Sequence, residues 1–296
     1  MFKDNVIFMV KITILSPEGK SCSVWNLKKE IENLGEKCDI FLLSDSENLM
    51  SYDFKLETDL IHSRCGIGDY FDRLTLYSWQ FINALEVEGL KFINPLETLY
   101  LTSDKFKCIK LLSKNKIATP KTALIRDYED AVRFMERYNV NFPVIIKNSF
   151  SKCGLKVFMA KNEEELKDLT KNAIWEGKII QEFINFKEGD IFKDMRILVV
   201  NGEVVGGYRR VSKDFRTNLY LGNIVEKLNI DKELEELALK CADLSNAVIL
   251  GVDILPTKEE NYVIELNSAP GTKGFRDIGI NADRKIAKTL IECARS

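Results

Sequence analysis

The sequence holds one histidine, His62, in 296 residues, so chemistry built on a histidine cluster is disfavoured from the start. Its cysteines, at 22, 38, 65, 108, 153, 241 and 293, are odd in number, scattered and without a C-x-x-C pair. That argues against a disulfide framework and against a structural zinc site. They read as small thiols, buried or half-buried, in a reducing compartment. No apolar run reaches the roughly 20 residues that cross a bilayer. The opening "MFKDNVIFMVKITILS" is interrupted by Lys3, Asp4 and Lys11, and reads as a first strand rather than a signal peptide. Charge of one sign is lacking as well: 43 Lys+Arg against 45 Asp+Glu leave a net −2, unlike a basic nucleic-acid binder. What is present, 45% hydrophobic and 10% aromatic residues, is enough for a folded core. The expectation is a cytoplasmic protein without a nucleic-acid or membrane partner, built as one large domain or two to three small ones.

The pattern along the chain alternates. An apolar strand over 6–15, a helical "SVWNLKKEIENLG", strands in "KCDIFLLS" and "TDLIHSRCGIG", a helix in "DRLTLYSWQFINALEVEGL" and a short strand "KFINP" suggest a small parallel α/β unit over 1–101. Then "TSDKFKCIKLLSKNK" reads as a helix capped by Thr102 or Ser103. "EDAVRFMERYN" reads as another helix, and "FPVIIKNSF" pairs with "LKVFMA" as a hairpin, giving a second unit over 102–184. From 185 to 296 the strands lengthen. "MRILVVNGEVVGGYRRV" is two strands around an Asn-Gly turn, "DKELEELALKCADLSNA" a helix, and "VILGVDILPTKEENYVIELN" a second hairpin. "NADRKIAKTLIECARS" closes the chain as a helix. No repeat or low-complexity linker interrupts it.

The stretch "NYVIELNSAPGTKGF" carries the chemistry. Alternation on a strand points Glu265 and Asn267 the same way, and the turn "PTKEEN" brings Asp253 of "GVDIL" across from them. Two carboxylates and an amide oxygen on one sheet face are hard ligands suited to Mg²⁺, and would be costly to desolvate without a cation or hydrogen bonds. The plainer alternative is a solvated sheet face. Magnesium in a cleft implies phosphate, so cations and backbone amides should lie upstream. Lys147 ends "FPVIIK", and the small polar loop "NSFSKCG", with Lys152 and Gly154, can approach a phosphate. Lys105 opens the preceding helix. Gln181, Glu182 and Phe183 end an apolar strand whose backbone can pair with an adenine edge. Arg216 and Asn218 stand two apart in "DFRTN".

In this order, "SDKFKCIKLLSKNKIATPKT", "FPVIIKNSFSKCGLKVFMA", "IIQEFI", "KDMRILVVNGEVVGGYRR", "DFRTNLYLGN", "GVDIL" and "VIELNSAPGTKGF" resemble the ATP-grasp ligases, and within them the RimK-type glutamate ligases, over 102 to about 280. The resemblance implies an ATP-grasp fold of α+β lobes with an N-terminal parallel α/β domain. It implies that Lys105 and Lys147 hold the ATP phosphates. Gln181, Glu182, Phe183 and Ile184 then form the adenine hinge, and Asp194 lies near the ribose. Arg216, Thr217 and Asn218 stand near the triphosphate, and Asp253, Glu265 and Asn267 bind Mg²⁺ or Mn²⁺. Arg196 with Arg209 or Arg210 faces substrate and phosphate; strand alternation lets only one of that adjacent pair do so. Three features depart from the family. Gly154 is the phosphate loop's only glycine and Lys152 stands where small residues are usual. "LYLGN" replaces the usual His-Arg-Gly-Gly. The span before Asp194 is longer, which makes Glu188 and Asp190 its rivals.

The implied reaction activates a carboxylate as an acylphosphate and passes it to an amine, glutamate being favoured because arginine forks suit an acidic amino acid. The acceptor is a small-molecule or peptide carboxylate. "DLIHSRCGIGDYFDRLTLYSWQFINALEVEGLKFINP" is similar to archaeal members that glutamylate folate-like or deazaflavin coenzymes. A homo-oligomer is compatible with this reading. His62 reads as structural. Lys152 reads either as a phosphate ligand on loop closure or as solvated loop surface. Two other classes share these elements: phosphotransfer without ligation, separated by amine-independent ADP release, and a nucleotide-binding module without turnover.

Overall fold

The computed structural model describes residues 8–17, 19, 21–45, 50–65, 73–150, 156–171, 173–219 and 222–296. Lys152 and Gly154, expected in the phosphate loop, lie outside the described residues.

The N-terminal sheet has strands β1 (Lys11–Ser16), β2 (Lys37–Leu42) and β3 (Leu60–Ser63) in the order β2-β1-β3, both pairs parallel. A parallel sheet is covered on both faces, which is why β1 reads as a continuous apolar run. Ile12 and Ile14 pack against Val24, Leu27 and Ile31 of α1 (Cys22–Asn33). Leu15 and Ile61 pack against Phe81 and Leu85 of α2 (Arg73–Val87). "KFINP" contributes only a bridge from Phe92 to Ile61, not a strand, because Pro95 immediately starts α3 (Leu96–Ser103).

That helix displaces the expected cap of the next one. α4 (Lys105–Lys114) is capped by Asp104, whose side chain accepts from the backbone N–H groups of Phe106 and Lys107. Thr102 and Ser103 instead donate back to the carbonyls of Thr98 and Leu99 inside α3.

The central sheet is antiparallel in the order β4-β7-β5-β6. Its strands are β4 (Thr122–Leu124), β5 (Val144–Asn148), β6 (Val157–Ala160) and β7 (Lys178–Glu182), and α5 (Tyr128–Tyr138), α6 (Glu163–Thr170) and α7 (Ala173–Glu176) accompany them. The third sheet runs β11-β10-β9-β12-β13, with β8 (Lys187–Glu188) beside β9. Here β9 is Ile191–Val200, β10 Glu203–Ser212, β11 Ile224–Lys227, β12 Ile249–Pro256 and β13 Asn261–Asn267. Asn201 and Gly202 both take positive φ, 52° and 72°, as a tight hairpin turn requires.

Both faces of β9 are covered. Leu198 and Val200 face the N-terminal sheet and α10 (Ala282–Arg295). Ile197 and Val199 face α8 (Lys232–Leu244) and the apolar side of α4. Burying each such side chain contributes about 1.5–3 kcal/mol. At one end of this apolar sheet the same alternation delivers charged residues instead.

Candidate active site

A cleft separates the central sheet from the third sheet. One wall is Ile145 and Lys147 of β5, Val157 of β6, and Gln181 and Glu182 of β7 with Phe183 and Ile184 after it. The other is Asp194, Arg210, Asp253, Leu255 and Glu265, with the loop Phe215–Asn218 at the rim and Lys105 at the start of α4.

Lys147 is the charged end of a buried strand. Its Nζ donates to Gln181 Oε1 at 2.9 Å, and Gln181 Nε2 donates to Thr122 Oγ1 at 2.8 Å. This relay turns the amide oxygen toward the lysine. Burial, then the charge of Lys105, lowers the Lys147 pKa to about 8. Lys105 Nζ lies 3.4 Å from Glu265 Oε1. The start of α4 is tied to the end of β5: Lys105 N donates to Ser149 O at 3.1 Å, and Ser149 Oγ to Asp104 Oδ1 at 2.8 Å. Two lysines therefore face one carboxylate on the cleft floor, a charge balance that favours an anion such as a polyphosphate.

In the β12–β13 hairpin Asp253 stands opposite Glu265, and Asn267 opposite Gly251. Arg196 grips Asp253 as a fork, Nε to Oδ1 at 2.6 Å and Nη2 to Oδ2 at 2.6 Å. Arg210 lies 3.1 Å from Asp253 Oδ2 and forks onto Asp194, with Nε to Oδ1 at 2.7 Å. Burial pushes the Asp253 carboxyl up, but Arg196 and Arg210 outweigh it and hold it below its usual range. Asn267 Oδ1 accepts from Ala269 N at 3.0 Å, which leaves the amide oxygen a second lone pair. Glu265 and the free lone pair of Asn267 are hard oxygen donors of the kind a divalent cation takes, whereas both Asp253 oxygens are engaged by arginines and Asn267 is not among the residues that line the cleft. Beyond Asn267 the chain folds back tightly: a Cβ on Gly251 would come within 2.9 Å of Pro270 Cβ, and one on Gly274 within 2.5 Å of the Tyr208 ring. The sharp break after β13 is this return.

Of the expected residues, Lys105, Lys147, Gln181, Glu182, Phe183, Ile184, Asp194, Arg210, Arg216, Thr217, Asn218, Asp253 and Glu265 share the cleft. Arg196 reaches it through Asp253. Arg209 is not among the residues that line the cleft, since it neighbours Arg210 on β10 and alternation turns it to the other face. Among the described residues Glu188 pairs with Lys193 at 3.0 Å and Asp190 with Lys187 at 3.9 Å; it is Asp194 that lines the cleft. His62 is buried, with Nδ1 2.8 Å from Ile93 O, and burial lowers its pKa to about 4.

Three residues escaped the sequence reading. Asp214 forks onto Arg216, Nε to Oδ1 at 2.9 Å and Nη2 to Oδ2 at 3.1 Å. Asn94, fully buried, clasps the third sheet. Its Nδ2 donates to Ile249 O (2.7 Å) and Ser268 O (2.8 Å), and its Oδ1 accepts from Val248 N (2.7 Å) and Ile249 N (2.8 Å). Arg64 Nη2 donates to Ala269 O (3.2 Å) and Pro270 O (3.3 Å). For Asp214 the spacing to Arg216 was a usable signal; for the other two nothing local exists.

Residues 102–290 match the RimK-like ATP-grasp domain. The chain is 84% identical over 288 residues to the coenzyme γ-F420-2:α-L-glutamate ligase of Methanocaldococcus jannaschii, covering 97% of this chain and 100% of that one. It is 61% identical to the protein of the same name from Methanococcus maripaludis, covering 96% and 100%. Among solved structures it resembles a RimK-domain ATP-grasp protein of Sphaerobacter thermophilus, with TM-score 0.72 at 16% identity over 95% of this chain and 99% of that one. It also resembles the D-alanine–D-alanine ligase of Bacillus anthracis in complex with ATP, with TM-score 0.71 at 16% identity over 97% of each. At that identity the two structures establish the fold: an ATP-grasp architecture preceded by a parallel α/β sheet.

Proposed function

The chain belongs to the family of RimK-like ATP-grasp domains, and we propose that it joins the amine of L-glutamate, in α linkage, to a carboxylate of coenzyme γ-F420-2. Its chemistry is that of an ATP-dependent ligase forming a C–N bond. The near-complete coverage of two relatives carrying that name supports the choice of substrates. The observation that carries the mechanism is the facing pair of groups in the cleft: Lys105 and Lys147 on one side, Asp253 and Glu265 on the other.

The acceptor carboxylate attacks the γ-phosphorus, ADP departs, and the resulting acylphosphate is opened by the glutamate amine with release of phosphate. No side-chain nucleophile is required, so positioning and charge neutralisation dominate. Lys105, Lys147 and Arg216 offset charge on the phosphates. Gln181 to Ile184 seat the base, Asp194 borders the ribose, and Thr217 and Asn218 stand at the rim beside Arg216, near the triphosphate. Asp253, Glu265 and Asn267 would hold Mg²⁺, or Mn²⁺ in its place, which when bound screens the phosphate oxygens. Arg210, which lines the cleft and braces Asp194 and Asp253, and Arg196, held by Asp253, are the arginines that face substrate and phosphate. The reading keeps three lobes, 1–101, 102–184 and 185–296, in a cytoplasmic protein whose oligomeric state sedimentation would measure.

Incubation with MgATP, glutamate and γ-F420-2, followed by mass spectrometry, should show addition of one glutamyl residue and glutamate-dependent ADP release. ADP release that ignores the amine would instead favour phosphotransfer.

A further inference from the structure

Among the described residues no carboxylate pairs with Lys147, although its side chain is buried. Its Nζ donates to Gln181 Oε1 at 2.9 Å. Glu265, whose charge reaches it, pairs with Lys105 at 3.4 Å instead. A neutral amide takes one of the three ammonium hydrogens, leaves two, and leaves the charge uncompensated. A carboxylate at position 181 would neutralise the lysine and compete with an incoming phosphate.

Where this amide points is set one strand further out. Thr122 on β4 stands opposite Gln181 on β7, and Gln181 opposite Ile145 on β5. Lys147 lies two residues beyond Ile145, so all four side chains share the sheet face that meets the cleft. Ile145, Lys147 and Gln181 line the cleft, and Thr122 is not among the lining residues. The Thr122 hydroxyl has a single hydrogen, which it gives to Pro120 O at 2.8 Å. It can therefore meet the amide only as an acceptor, and it accepts from Gln181 Nε2 at 2.8 Å. The Pro120 carbonyl thus fixes the polarity of the chain that runs from Thr122 through Gln181 to Lys147. The ammonium alone would attract the amide oxygen, but it would not fix where the side chain lies. Held at its far end by Thr122, the amide fixes the ammonium in turn.

We propose that Thr122 is a positioning residue for nucleotide binding, which through Gln181 holds the Lys147 ammonium with two hydrogens left for the phosphates. This rests on the reading above in which Lys147 offsets phosphate charge. Gln181 seats the base with its backbone, which pairing to β5 and β4 holds whatever its side chain does. The effect of Thr122 is therefore confined to the phosphate end of the nucleotide.

The test uses the full chain and calorimetric affinities for MgATP and for adenosine, which lacks the phosphates. Thr122→Val removes the hydroxyl at nearly equal shape, Thr122→Ala removes it a second way, and Thr122→Ser keeps it; melting curves check each fold. Thr122→Val and Thr122→Ala should bind MgATP about fivefold more weakly or worse, the scale of one hydrogen bond, and adenosine as wild type does. Thr122→Ser should bind both as wild type does. In a Gln181→Met background, adding Thr122→Val should change MgATP affinity no further. Unchanged MgATP affinity in the hydroxyl-free variants overturns the proposal. An equal loss for adenosine also overturns it, because Thr122 would then only brace the sheet. Failure of serine to restore binding, a full effect that survives in Gln181→Met, or loss of the fold in both hydroxyl-free variants overturns it too. Lys147→Met separates this role from the phosphate reading. If it weakens MgATP binding and Thr122→Val does not, only the role of Thr122 falls. If it leaves MgATP affinity unchanged, the reading of Lys147 falls and the role of Thr122 with it.

Discussion

Lys147 and Asp253 are both buried, and their neighbours drive them in opposite ways. Lys147 has little to offset its burial, so its pKa falls from 10.5 to about 8. The charged form then costs the folded state most below about pH 8, and this penalty fades as pH rises toward 10.5, so the group adds stability with rising pH. For the ligand the sign is opposite: the charge that attracts phosphate is lost as pH rises through 8. ATP affinity should weaken between pH 7 and 9.5, and binding at pH 8.5 should take up protons, seen by calorimetry in buffers of different ionisation enthalpy. Lys147→Met should bind ATP at least about tenfold more weakly at pH 7 and show neither effect. Asp253, by contrast, neutralises two arginines. Asp253→Asn should cost about 3–5 kcal/mol, because it leaves buried guanidinium charge unpaired, and denaturant melts would record it. Glu265 is half-exposed beside one lysine. Glu265→Gln should melt near wild type and lose Mg²⁺-dependent turnover by about 100-fold or more. At this scale the sequence was legible where strand alternation sets a side chain's place, as for Glu265, which stands opposite Asp253 and lines the cleft with it. It could not choose between Arg209 and Arg210, since alternation says that they part and not which of them faces the cleft.

The element that most affects the site is α4, whose first residue is a cleft lysine. Asp104 both caps it and accepts from Ser149 Oγ at the end of β5. Asp104→Ala should lose about 1 kcal/mol of cap energy, a drop of roughly 2–4 °C in melting temperature. It should also raise the KM for ATP, because Lys105 loses its registration on β5; an unchanged KM would confine Asp104 to stability. The longer strands, the hairpins and most helices were readable from their periodicity, and the β12–β13 hairpin from its polar turn, whereas the short β8 and β11 were not, and residues 91–95 form only a bridge where a strand was expected. The cap was misplaced because "LETLYLTS" is too short and too apolar for its period to show, so α3 went unseen and Thr102 and Ser103 looked free to cap.

Across the whole molecule the N-terminal sheet and the third sheet share one apolar core, closed by α10, which returns to lie along α1. Asn94 pins this junction with four hydrogen bonds to backbone groups. Asn94→Leu would orphan those groups and should cost about 3 kcal/mol or more, a loss that chemical denaturation would measure and that Asn94→Asp, which keeps the acceptor atoms, should reduce but not abolish. Neither Asn94 nor Arg64 could be recognised from the sequence, because their partners lie some 150 to 200 residues away and no local pattern encodes such pairing. The same clasp limits modular exchange. A chimera that borrows another enzyme's N-terminal domain to gain a new acceptor would also replace the side chains that hold Ser268, Ala269 and Pro270. Such grafts should succeed only when the donor brings an asparagine and an arginine to these two places, or when residues 268–270 are transplanted with it.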